Sequence, residues 1–338
     1  MLDVTDRHCR RLHRLLSRRA LLYTEMVVAD AILHGPRARL LDFATVERPV
    51  ALQLGGSDPG GLARAVRLAR PWPYDQINLN CGCPSDRVQS GRFGAVLMRE
   101  PALVADCIRA MQDAAEVPVT VKCRIGVDED DPAEVLPRFL EMLAREGVAH
   151  VVVHARKAWL RGLSPKENRE IPPLDHELVL SMKARFPDLP LSLNGGVTTL
   201  AQVRTLLARG IDGVMIGRAA WHDPAGVLAG ADSLWGEGHV PSRLAVARGM
   251  LDHARAHVAA GGRLIEVIRP MLGLFHGCPG ARAWRQTLSA EGTAAGAGVD
   301  VLARAIDAIA AVQEVAGTSS RAPSPPGDGG VRTGRPPA

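Results

Sequence analysis

A chain of 338 residues with 46% apolar and 23% charged content has a globular composition, long enough for one large core and one smaller one. No run of about 18 apolar residues is present, so no membrane helix is expected, and the arginine-rich start lacks the apolar centre of a secretory leader. Six cysteines without framework or paired zinc spacing argue for reduced thiols in a cytoplasmic protein and for no metal site.

The net charge of +5 is unevenly placed. Residues 1–20 hold six Arg against two Asp, and residues 243–338 eleven Arg against seven acids, so both ends are basic around a weakly acidic body. Clustered cations suit phosphate contact. With only four Lys among 41 cations, a general bias toward Arg explains the same numbers equally well.

In chain order, Thr5 or Asp6 can cap a helix over 6–19 that puts Cys9, Leu12, Leu15 and Leu16 on one face and Arg on the other. Strands follow at Leu21–Ala29, Val50–Leu54, Ile77–Asn80, Val117–Lys122, Ala149–His154, Leu191–Asn194 and Gly213–Ile216. Helices between them begin at Pro59 and cover Ala102–Ala115, Pro132–Glu146, Asp175–Phe186 and Leu200–Ala208, with Pro224–Leu234 after the last strand. Short apolar strands alternating with helices predict a parallel sheet of the (β/α)8 barrel type. Seven strands are countable where eight are needed, and a helix precedes the first, so either a first strand belonging before residue 5 lies upstream of this sequence, the simpler account, or the barrel closes imperfectly. From about residue 241 only helices remain: Pro241–Ala260, Arg263–Leu274, Ala281–Ser289 and Val299–Val315, a small bundle. The expected organisation is a barrel over 1–237, a helical domain over 238–316 and a disordered tail over 317–338.

One polar residue marks strand exit after strand exit: Gln53, Asn80, Lys122, His154, Asn194 and, after the seventh strand, Gly217-Arg218. In a barrel these positions share one face, the one that carries chemistry. Asn194-Gly195-Gly196 allows close backbone approach and Arg218 supplies a bidentate cation, which together suit a phosphate. Amide, ammonium and imidazole groups around a ring that becomes anionic on reduction describe a flavin mononucleotide (FMN) site. The third strand runs into Cys81-Gly82-Cys83-Pro84-Ser85, a thiol loop with Gly91 and Gly94 further on, able to close over a substrate.

Several longer stretches carry a resemblance. Thr5-Asp6-Arg7-His8-Cys9-Arg10, Leu22-Tyr23-Thr24-Glu25-Met26, Leu52-Gln53-Leu54-Gly55-Gly56-Ser57 and Asn78-Leu79-Asn80-Cys81-Gly82-Cys83-Pro84-Ser85 resemble the tRNA-dihydrouridine synthases. His154-Ala155-Arg156-Lys157-Ala158-Trp159-Leu160 and Gly162-Leu163-Ser164-Pro165-Lys166-Glu167-Asn168-Arg169 resemble the A-type subfamily. The likeness runs from residue 1 to about 313. It implies reduction of the uridine C5–C6 double bond in the tRNA D-loop at positions 20/20a, with FMN as cofactor, NADPH as reductant and no obligatory protein partner. Carried over motif by motif, Cys83 is the proton donor. Gln53, Lys122, His154, Asn194, Gly195, Gly196, Gly217 and Arg218 then contact FMN, and Asn80, Lys166, Arg169, Arg282 and Arg285 contact tRNA. Relatives carry Ala-Pro-Met on the first strand, of which Met1 matches the end.

Two other readings remain at this stage: a flavin-dependent reductase of a small pyrimidine, and a non-catalytic tRNA-binding protein. A small substrate needs neither the helical domain nor Arg282 and Arg285, and bound flavin would exclude the second.

Overall fold

The computed structural model describes residues 1–85 and 91–319. The expected lid loop after Cys83 falls partly outside these residues, as does most of the tail expected to be disordered. Seven strands form one parallel sheet in chain order: β1 (Leu22–Val28), β2 (Val50–Gly55), β3 (Gln76–Cys81), β4 (Val119–Arg124), β5 (Val151–His154), β6 (Leu191–Asn194) and β7 (Gly213–Met215). All seven expected strands are present within about two residues of their expected starts. Consecutive parallel pairing with a helix at most crossovers is the (β/α)8 barrel architecture. Among the described residues β1 pairs only with β2, and β7 only with β6.

Period-two alternation divides each strand between two environments. Leu52, Leu54, Leu79, Cys81, Val121, Cys123, Val151, Val153, Leu191 and Leu193 are essentially inaccessible and belong to the core between sheet and helices. Helices α4 (Pro59–Ala69), α5 (Pro101–Ala114) and α6 (Pro132–Arg145) supply the other side of that core. Asp58 and Asp131 cap α4 and α6 by accepting backbone N–H bonds, and Pro stands at the first position of all three helices. The alternate strand positions, Gln53, Asn78, Asn80, Thr120, Lys122, His154, Ser192 and Asn194, face inward and are polar. The strands are therefore not uniformly apolar: their outer faces are, and their inner faces build a polar interior.

After β5 come α7 (His176–Arg185), α8 (Leu200–Ala208), α9 (Arg218–His222) and α10 (Pro224–Leu228). The carboxyl-terminal region holds α11 (Arg243–Ala259), α12 (Leu264–Ile268), α13 (Ala281–Ala290) and α14 (Val299–Ser319). The helix expected over Arg263–Leu274 divides at Arg269-Pro270, where the ring removes an N–H, and continues as a 3-10 turn. Two short helices, α2 (Ala29–His34) and α3 (Arg37–Leu41), occupy a stretch that carried no expected element.

A second apolar core joins α11 to α14 with α1 (Arg7–Leu16) and α10. Its centre is Trp284, 2% exposed, edge-on to Phe275 at 4.8 Å and donating through Nε1 to the Met271 carbonyl at 3.0 Å. Leu12 and Leu16 of α1 lie in this core. On the opposite, arginine-bearing face of α1, Arg10 and Arg14 are also covered. Arg10 pairs with Glu47 at 2.8 Å, and Arg14 donates to the carbonyls of Glu47, Ser17, Ala20 and Pro49. The helix is wedged between the barrel and the helical region, so its cations are paired internally.

Candidate active site at the barrel mouth

Strand register builds the mouth. Gln53 lies beside Asn78, Asn80 beside Lys122, Arg124 beside His154, and His154 beside Asn194. A chain of amides connects the interior to the thiol loop. Asn78 donates to Thr120 Oγ1 and Gln53 donates to Asn78 Oδ1, both at 2.9 Å. Asn80 donates to Gln53 Oε1 at 2.9 Å, and its own Oδ1 accepts the N–H groups of Gly82 at 3.0 Å and Cys83 at 2.9 Å. Asn80, expected to touch tRNA, is 8% exposed and commits both ends of its amide inside the chain. Gln53 keeps one N–H and one lone pair for a ligand.

Cys83 is half-buried, its Sγ 3.5 Å from Ser85 Oγ and its carbonyl accepting from Ala95 N–H at 2.9 Å. The other barrel thiols are packing groups. Cys81 and Cys123 face each other across β3 and β4, and Cys107 is buried on α5. Burial pushes the Cys123 and Cys107 thiols up to about 12, and Cys81 upward as well.

The mouth is crowded with positive charge. Burial lowers Lys122 to about 8 and Arg124 to about 10. Burial also holds His154 neutral, far below its usual range, and Arg124, Lys122, Arg156 and Arg218 push it further the same way. Arg169 joins this group through its coupling to Arg218 and Cys83. Arg124 donates to the carbonyls of Gly82, Lys157 and Asn168 and meets no carboxylate among the described residues. Glu170 answers one cation, pairing with Arg218 at 2.6 Å. The Nε atoms of Arg156 and Arg169 are buried without a hydrogen-bond partner.

The phosphate loop has the expected backbone. Gly195 and Gly196 have φ of +117° and +72°, and an added Cβ would lie 2.8 Å from the His154 ring and 2.4 Å from Leu174 respectively. Asn194 donates to the Met215 carbonyl, and Gly217 precedes α9 with Met1 Sδ near it. Arg218 is 42% exposed and reaches Glu170 and the Arg169 carbonyl. Orphaned guanidinium N–H groups, a neutral imidazole, a half-buried ammonium and Cβ-free backbone make a donor set that fits a phosphorylated, electron-accepting ring. Lys166 is exposed on the loop after β5, while Arg282 and Arg285 are exposed together on α13, where Arg285 lines a cavity with Trp221 and His222 of α9.

Two residues with clear structural roles escaped the sequence reading. Arg124, 3% exposed, binds the Cys83 loop to the loop after β5; it stands two positions beyond Lys122, so alternation along β4 puts both on the inner face. Asn168, fully buried, closes the loop after β5 by accepting the Trp159 N–H at 2.7 Å and donating to the Trp159 and Leu163 carbonyls. Trp159 lies half-buried on that loop, with the Lys157 ammonium 5.3 Å from its ring.

Fold and mouth together define a (β/α)-barrel enzyme with a strand-end thiol in a cationic cleft. Comparison with known proteins narrows this. The model of the family described as Dihydrouridine synthase (Dus) matches residues 1–312, and the chain belongs to that family. Enzymes of the family are flavin-dependent oxidoreductases. The chain is 52% identical over 307 residues to a protein of Xanthomonas axonopodis, covering 91% of each. It is 53% identical over 311 residues to one of Shewanella oneidensis, covering 91% of this chain and 92% of that one. A relative from Escherichia coli K12 is 50% identical over 313 residues, covering 92% of this chain and 90% of its own length. All three carry the name tRNA-dihydrouridine(20/20a) synthase.

Proposed function

We propose that this chain reduces the C5–C6 double bond of uridine at positions 20 and 20a of the tRNA D-loop, in the cytoplasm, with FMN as resident cofactor and NADPH as reductant. Family membership and the relatives' shared name support the reaction. The observation that carries the site is the set of five cations, Lys122, Arg124, Arg156, Arg169 and Arg218, around a neutral His154 and a half-buried thiol, with Glu170 the acid that answers them among the described residues.

On this reading residues 1–237 form the flavin barrel and 238–316 the tRNA-binding region. Gln53, Lys122, His154, Asn194, Gly195, Gly196, Gly217 and Arg218 hold FMN, with Arg218 exchanging its carboxylate partner for the phosphate. Bound FMN supplies the hydride to C6 of the uracil. Lys122 and neutral His154 orient the ring and offset charge that builds on it. The Cys83 Sγ–H then gives its proton to C5, leaving a thiolate whose charge favours the charged forms of Lys122, Arg124 and Arg169. Solvent reprotonates the thiolate. Asn80 fixes the Gly82 and Cys83 N–H groups, and the N–H its amide keeps is its contact to the tRNA. Lys166 and Arg169 lie beside the target base, and Arg282 and Arg285, three apart on α13, meet the tRNA backbone.

The test is position-resolved dihydrouridine mapping of tRNA from cells with and without the gene. Loss of dihydrouridine at 20/20a on deletion is expected. Unchanged dihydrouridine at both positions would overturn the proposal.

A further inference from the structure

Away from the mouth, α1 and the consecutive helices α11 and α12, distant from it in sequence, bring imidazoles and a carboxylate together. His8, on the first turn of α1, is 5% exposed. His253 and His257 stand four apart on α11, hence on one face. Glu266 is on α12. One ligand atom each from His8, His257 and Glu266 lie within 4.8 Å of one another. His257 Nε2 is 2.6 Å from Glu266 Oε2, and His8 Nδ1 is 2.9 Å from His253 Nε2.

We propose that His8, His257 and Glu266 bind a divalent transition-metal ion of the zinc class, with His253 holding His8 in place, so that one ion clips α1 to the carboxyl-terminal helices. The donor chemistry carries the choice of ion: two imidazoles and a carboxylate suit zinc, whereas calcium and magnesium want oxygen shells. A tetrahedral ion with bonds of about 2.0–2.1 Å needs donors about 3.4 Å apart, which these reach by rotamer adjustments of about 1 Å. His257 and Glu266 are 23% and 49% exposed, which leaves an entry path and a fourth position for water.

The surroundings hold the ligands in ways that a metal site needs. His253 Nε2 engages His8 Nδ1 at 2.9 Å and so holds the ring in place. The Arg263 N–H donates to Glu266 Oε2 at 3.1 Å. Gly262 lets the His257 ring approach, since a Cβ there would lie 2.1 Å from His257 Nε2. The sequence reading expected no metal because it weighed cysteine spacing, and this donor set contains no cysteine.

The experiment treats the full-length protein with a chelator, adds Zn2+ or Co2+, and measures the ion retained after gel filtration, with visible absorption for Co2+. About one ion per chain is expected, with d–d bands of four-coordinate Co2+ lacking sulfur charge transfer. His257→Ala and Glu266→Gln, both partly exposed and checked for unchanged circular dichroism, should each weaken retention about 10- to 100-fold. No ion retained above buffer, or retention by both variants equal to that of the parent protein, would overturn the proposal; the second result would put the ion elsewhere on the chain.

Discussion

Arginine is buried in two regions of this molecule, and the two are treated differently. At α1, Arg10 faces Glu47 across 2.8 Å, and Arg14 is satisfied by four backbone carbonyls. At the mouth, Arg124, Arg156 and Arg169 also find carbonyls or nothing, two of their Nε atoms are orphaned, and the carboxylate of Glu170 goes to Arg218. Buried guanidinium groups are costly unless paired. The first region spends its charge on holding the fold together; the second keeps, among the described residues, more cations than acids beside Cys83 and His154. Such an excess favours an anionic ligand, whereas a structural ion pair is already complete.

The sharpest way to break this contrast is at the thiol. Cys83→Ala should lower turnover by at least about 100-fold in a single-turnover assay, the scale of a lost general acid, while flavin and tRNA binding persist. Turnover within a few-fold of the parent would remove Cys83 from the mechanism. The two arginine regions are separated by paired substitutions read in denaturant unfolding and by flavin absorbance. Arg10→Ala strands the Glu47 carboxylate, 2% exposed, and should cost about 3–5 kcal/mol without a specific flavin defect. Arg124→Met should cost less, about 1–3 kcal/mol from the carbonyls it leaves, yet reduce flavin retention. Equal flavin loss in both would erase the distinction.

Lys122 gives a pH test. Its folded pKa of about 8 lies below the ordinary 10.5, so burial of the charge penalises the fold at neutral pH. Between pH 8 and 10.5 the unfolded chain binds more protons, and stability must rise with pH there. Lys122→Met should remove that rise, seen as a flatter stability profile across the window in the flavin-free protein. The smallest effect is expected on α13. Arg282→Ala with Arg285→Ala should weaken tRNA binding, reduce the salt slope of log K by about 1–2, and leave flavin content alone.

Much of the barrel was legible because parallel strands are short apolar runs between helices, and each run from Leu22 to Met215 shows that pattern. The strand-end residues were legible too, since a polar group at the exit of an apolar strand stands out. What escaped depended on tertiary packing. Arg124 was passed over because β4 was taken to end at Lys122, two residues early. The burial of Arg10 and Arg14 was not legible, because a helical pattern cannot show that both sides of α1 are covered. Asn80 was assigned to the substrate from motif alone, while its hydrogen bonds turn it toward the loop that carries the thiol. The histidine cluster joins residues some 250 positions apart, beyond the reach of any local pattern.

The central claim is that the unpaired charge at the mouth and the thiol beside it serve one reaction on tRNA. Its most direct test is purified, flavin-loaded protein incubated with NADPH and unmodified tRNA, followed by position-resolved mapping of dihydrouridine. The account predicts dihydrouridine at 20 and 20a with the parent protein and almost none with Cys83→Ala. Turnover of free uracil with no product on tRNA would contradict it.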